Sequence, residues 1–154
     1  MEWKEIKSQN DIDELMEFYF GFHDACIVSV SYSSGISVNK ERTMHFNGPA
    51  GYQARIVFQS QQELSTIELC FTGVRRIHIV GWQNRYFSEI FDAHLAFHEE
   101  VFLGDSQESI VWADTEYFDL EDLRQTDMLD EPADNYIIAN ELKWRVINKL
   151  DTGE

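Results

Sequence analysis

NDIDELMEFYFGFHDACIVSVSY, residues 10–32, changes its hydrophobic period halfway along, and that change decides the fold class. Ile12, Leu15, Met16 and Tyr19 recur at i, i+3, i+4 and i+7, one face of an α-helix. Asn10 is placed to cap that helix, and Asp11, Asp13 and Glu14 fall in its first turn, where the helix dipole favours negative charge. Gly21, with no Cβ to clash in left-handed backbone, is placed to end it. From Cys26 onward the period is 2. Cys26, Val28, Val30 and Tyr32 take one face and Ile27, Ser29 and Ser31 the other, so the helix is expected to pack its stripe on the face carrying Val28 and Val30.

Alternation continues through most of the chain. It recurs around Met44 and Phe46, in Ala54, Ile56 and Phe58, in Ile67, Leu69 and Phe71, and in Ile77 and Ile79. The polar stretches between these segments have the lengths that join antiparallel neighbours. SIVW at 109–112 reads as a further strand, and Tyr136, Ile138, Leu142, Trp144 and Val146 share one parity in a long closing strand. Residues 84–103 fit both periods. The strand reading is preferred because Phe97 would sit on the polar side of a helix; it puts Phe91, Ala93, Leu95 and Phe97 on the apolar face. The expected architecture is α+β: one N-terminal helix packed on a twisted, mainly antiparallel sheet of about seven to nine strands, curling toward a barrel.

A chain of 154 residues has the length of one domain with a sizeable core, and its composition, 44% hydrophobic and 14% aromatic, suits one. The 28 Asp and Glu against 12 Lys and Arg leave a formal charge of −16. Such a field repels nucleic-acid phosphates and anionic lipid and attracts a basic protein partner. Cys26 and Cys70 both fall in apolar, strand-like runs, so both thiols are expected to be buried and reduced. No apolar leader or membrane-length stretch is visible, and the cytoplasm is the expected compartment. Phosphate-cradling and nucleophile-elbow motifs are missing, so no cofactor is expected.

Three groups of side chains invite a functional reading. His23 and Asp24 follow Gly21 at the helix–strand junction; an imidazole beside a carboxylate suits acid–base work, but no third member nominates itself, and the trio reads as a structural joint. Asp92, His94 and His98 are candidate metal ligands, since the two histidines share a face in either secondary structure. Asp119, Glu121, Asp122, Asp127 and Asp130 lie in an acidic connection, residues 114–134, that offers a surface to cations and carries a short helix around DLEDLRQ. Together they point to a non-catalytic binding protein for a basic partner; the alternative is a metal-dependent enzyme built on Asp92, His94 and His98.

The ordered set GFHDACIVSVSYSSG, IVFQSQ, TIELCFTG, YFSEI, IVWADTEYFD and NYIIANELKWRVI resembles a group of small bacterial proteins of Gram-positive type to which no activity is attached. The resemblance covers nearly the whole chain and is weakest over residues 114–134; it implies one intact domain and supplies no catalytic residue. In size, charge and architecture the chain is also similar to the small acidic α+β immunity proteins that neutralise bacterial toxins, which implies a basic toxin as one form of the partner.

Overall fold

The computed structural model describes residues 2–82, 84, 88–125 and 134–149. Helix α1 spans Gln9–Phe18, and its cap is Ser8 rather than Asn10. The Ser8 hydroxyl accepts from the Asp11 N–H at 3.3 Å while the Asp11 carboxylate accepts from the Ser8 N–H at 2.9 Å, a capping box that moves the start of the helix toward the N-terminus. Hydrogen bonds from the Lys7 N–H and then the Ser8 hydroxyl hold the Asp11 carboxyl below the usual carboxylate range.

Among the described residues nine strands form two sheets, one strand before α1 and eight after it. The seven-stranded sheet contains β1 (Lys4–Ile6), β2 (Ala25–Ser33), β5 (Gln53–Ser60), β6 (Ser65–His78), β7 (His94–His98), β8 (Ser109–Ala113) and β9 (Tyr136–Lys149). All its pairings are antiparallel, in the order β2-β5-β6-β9-β8-β7, with β1 also on β9. Strand β9 pairs β6 along one edge and gives the other edge to β8 (residues 136–139) and then to β1 (residues 142–144). The sheet curls but does not close: Ile90, ahead of β7, makes one isolated bridge to Ala25 at the start of β2. The remaining strands, β3 (Ser37–Val38) and β4 (Met44–His45), form a separate two-stranded ribbon. Met44 and Phe46, expected to alternate within the main sheet, are exposed on and beside that ribbon.

The stripe of α1 is buried as its spacing requires. Ile12, Leu15 and Tyr19 are inaccessible or nearly so, and Met16 packs against the same core. Alternation also holds in the central strands, where Ala54, Ile56, Phe58, Ile67, Leu69 and Phe71 are all fully buried. A second, smaller cluster lies on the opposite face of β8 and the start of β9, where Val111, Ala113, Tyr136 and Ile138 meet Val101 and Phe118. That second cluster explains why every residue of β8 is buried.

Several expectations fail where a strand breaks its own period. A register shift between Ile27 and Ser29 turns Val28 outward, 51% exposed, while Ile27 and Val30 both pack on the core. Cys26 is consequently exposed; Cys70 is buried, and both thiols are free. In β9 the single parity splits: Leu142, Trp144 and Val146 face the main core, whereas Tyr136 and Ile138 face the second cluster and Ile137 and Ala139 take their place. The switch occurs opposite Gly73, which sits at φ 68° so close to Asn140 that a Cβ would lie 2.6 Å from its Nδ2. Residues 84–103 do not form one long strand: β7 covers only five of them, and Phe91 lies outside it, exposed. The short helix expected around DLEDLRQ is α2, Leu120–Gln125.

Candidate functional site

The chain leaves α1 through strained backbone. Phe20 (φ 52°), Gly21 (62°), Phe22 (62°) and Asp24 (58°) are all left-handed, a conformation that costs a residue bearing a Cβ about 1–2 kcal/mol. Packing and hydrogen bonds hold them there. The Phe22 ring is fully buried, with ring centroids 5.2 Å from Tyr19, 5.0 Å from Phe58 and 5.8 Å from Trp112, mutually edge-on. The Asp24 N–H donates to the Ile90 carbonyl (2.8 Å), the Ala93 N–H to the Gly21 carbonyl (2.9 Å), and the Gln61 N–H to the Asp24 carbonyl (3.1 Å). Residues 21–24 therefore clamp the segment before β7 and the β5–β6 connection onto the end of the helix.

His23 sits at the centre of this joint, half exposed. Its Nδ1–H donates to the Phe91 carbonyl, its Nε2 lies 3.5 Å from Asp24 Oδ2, and its Nδ1 lies 3.8 Å from Asp92 Oδ1. The carbonyl bond foremost, then the charges of Asp24, Asp92 and Glu89, raise the imidazole pKa above 6.5 against the opposing effect of burial. Asp24 is held low, first by the Gln62 side-chain amide, which donates to Oδ2 at 2.7 Å, with the His23 charge adding to it. These ring contacts, a carbonyl and two carboxylates, stabilise an imidazolium. The ring thus stands as a counter-charge between Asp24 and Asp92.

The joint brings together Gly21, His23 and Asp24 and adds Asp92. Around it the structure adds residues with no sequence signal. Phe20 (54% exposed) and Phe91 (68%) flank the His23 turn; Tyr117 (83%) is also exposed, its phenol pKa raised first by the hydrogen bond to Glu116. Phe91 was hidden because period 2 extends past the real start of β7 and placed it on the buried face. The result is a surface of two exposed rings, Phe20 and Phe91, beside the carboxylates of Asp24 and Asp92 and next to the buried Phe22 ring.

His94 and His98 meet elsewhere, on the face of β7 toward the second cluster. Their Nε2 atoms are 2.9 Å apart, and the Phe118 ring lies 5.6 Å from that of His94. Burial lowers both pKa values, and for His94 the neighbouring His98 lowers it further. Asp92 faces His23 instead, and no three of His, Cys, Asp and Glu gather as ligands among the described residues. Of the acidic connection, Asp119, Glu121 and Asp122 are exposed on and before α2, where Asp119 Oδ1 accepts from the Glu121 N–H at 2.9 Å; Asp127 and Asp130 lie outside the described residues. His45 contacts Asn39, and His78 donates to the Asp134 carbonyl while stacking on Tyr136. No helix is long and apolar enough to cross a membrane among the described residues. No family model, curated protein or solved structure matches the chain.

Proposed function

We propose that the protein is a non-catalytic binding protein of the cytoplasm whose His23-centred surface docks a basic protein partner. The observation that carries the reading is the pairing of exposed aromatics, Phe20 and Phe91, with the carboxylates of Asp24 and Asp92, of which Phe20 and Asp24 stand on backbone held at an energetic cost. Rings beside carboxylates suit Lys and Arg heads, which gain charge pairing and cation–π contact together. Strain concentrates where a surface must be held in one shape before its partner arrives. The net charge of −16 adds long-range attraction, and the acidic residues of α2 extend the same field. A basic protein toxin, neutralised by occupation of its cationic surface, is the sharpest form of the proposal.

Binding of an Arg–Gly repeat peptide, measured by calorimetry at low and at moderate salt, tests it. Phe91→Ala is expected to weaken binding about 2–5-fold, the worth of an exposed cation–π contact. Asp92→Asn is expected to weaken it and flatten its salt dependence. Binding that ignores both substitutions and salt would refute the proposal.

A further inference from the structure

His94 and His98 are four residues apart on one strand and should stand well separated, yet their rings converge. Ala96 between them ends at Cβ, and the two imidazoles lean toward each other across it until their Nε2 atoms are 2.9 Å apart. Among the described residues this is the one contact between two imidazoles; His23, His45 and His78 each bond a carbonyl or an amide instead.

We propose that the His94–His98 pair is a bidentate site for a transition-metal dication that favours right-angled coordination, Cu(II) ahead of Ni(II) and Zn(II). The geometry supplies the preference. With metal–nitrogen bonds of about 2.0–2.1 Å, nitrogens 2.9 Å apart subtend an angle of about 90° at the ion. That is the cis angle of a square-planar or tetragonal centre, whereas a tetrahedral Zn(II) needs the nitrogens about 3.3 Å apart. Half-burial favours the neutral form that a ligand needs without sealing either ring from solvent. In the metal-free pair one Nε2–H bonds the other Nε2. Binding shifts that proton to Nδ1 of the same ring and turns both rings off the N···N axis so that the two Nε2 lone pairs meet at the ion; neither ring changes charge. Phe118 walls one side, and water completes the remaining positions. Asp92 has no part in this site, which stands apart from the surface around His23 and is independent of any basic partner.

The test uses untagged, chelator-treated protein titrated with Cu(II), Ni(II) and Zn(II), with electron paramagnetic resonance on the copper form. The expected result is one Cu(II) per chain, two imidazole nitrogens in the spectrum, weaker Zn(II) binding, and at least a tenfold loss of affinity in both His94→Gln and His98→Gln. On the unsubstituted protein, Cu(II) should broaden the NMR signals of residues 94–98, Ala113 and Phe118 and spare His23 and His45. Absence of stoichiometric binding, affinity unchanged in both variants, or broadening centred on Asp24, Asp92 or residues 119–122 would overturn the proposal.

Discussion

Phe20 provides a measurement that separates backbone strain from side-chain contact. The residue sits at φ 52° and is 54% exposed, so truncating it to alanine removes less than half of what a buried phenylalanine contributes, about 1 kcal/mol. Phe20→Gly loses the same ring but recovers the left-handed penalty of about 1–2 kcal/mol. Against this stands the greater freedom of glycine in the unfolded chain, about 0.5–1 kcal/mol. The glycine variant is therefore expected to be more stable than the alanine variant by about 0.5–1 kcal/mol and close to the unsubstituted protein. Urea unfolding followed by tryptophan fluorescence reads the difference as a shift in midpoint at unchanged slope. Both variants lack the ring, so both should bind an Arg-rich peptide equally poorly. If alanine matches or exceeds glycine in stability, residue 20 is not left-handed and the cost assigned to the joint is not borne there.

Leu15 is fully buried in the α1 stripe, and Leu15→Ala should cost about 2–5 kcal/mol in the same urea assay; a loss below about half a kcal/mol would mean that the helix does not pack on the sheet. Two pH windows should also separate. His23 has a folded pKa above 6.5, so its contribution is fully present below that pH and is lost as pH rises through the folded value; His23→Gln should remove that loss. His94 and His98 are depressed, so the unfolded chain binds protons that the native one refuses, and stability should fall as pH drops through 6.5 toward their folded values. His94→Gln and His98→Gln should flatten that acid limb in pH-dependent melts. A thiol reagent should modify Cys26 in the native state and reach Cys70 only after unfolding; equal rates would contradict the outward turn of β2.

Periodicity made the elements legible wherever one face of an element met one environment. Ile12, Leu15 and Tyr19 on α1, and the alternating residues of β5 and of β6 as far as Phe71, each repeat with the period of their element because one side meets the core along its length. The pattern misleads where a strand changes environment partway. At Val28 a bulge swaps the faces of β2, and at Gly73 and Asn140 two paired strands bend together, so that Tyr136 and Ile138 serve a second cluster. The placement of Gly21, His23 and Asp24 between helix and strand was readable because the hydrophobic period changes across them. Asp92 as their partner was not readable: its approach depends on the Ala93 and Ile90 backbone bonds that fold the segment before β7 back onto residues 21–25. The convergence of His94 and His98 likewise depends on how two side chains lean along a strand, which sequence spacing alone does not encode.

The most direct test of the binding surface is a heteronuclear NMR titration of the isotope-labelled protein with the Arg–Gly repeat peptide at low salt, repeated at higher salt. Shift changes should cluster on residues 20–24 and 89–92 and fade as salt rises. Shifts scattered over every exposed carboxylate, or confined to residues 119–122 with Phe20, His23 and Phe91 unmoved, would contradict it.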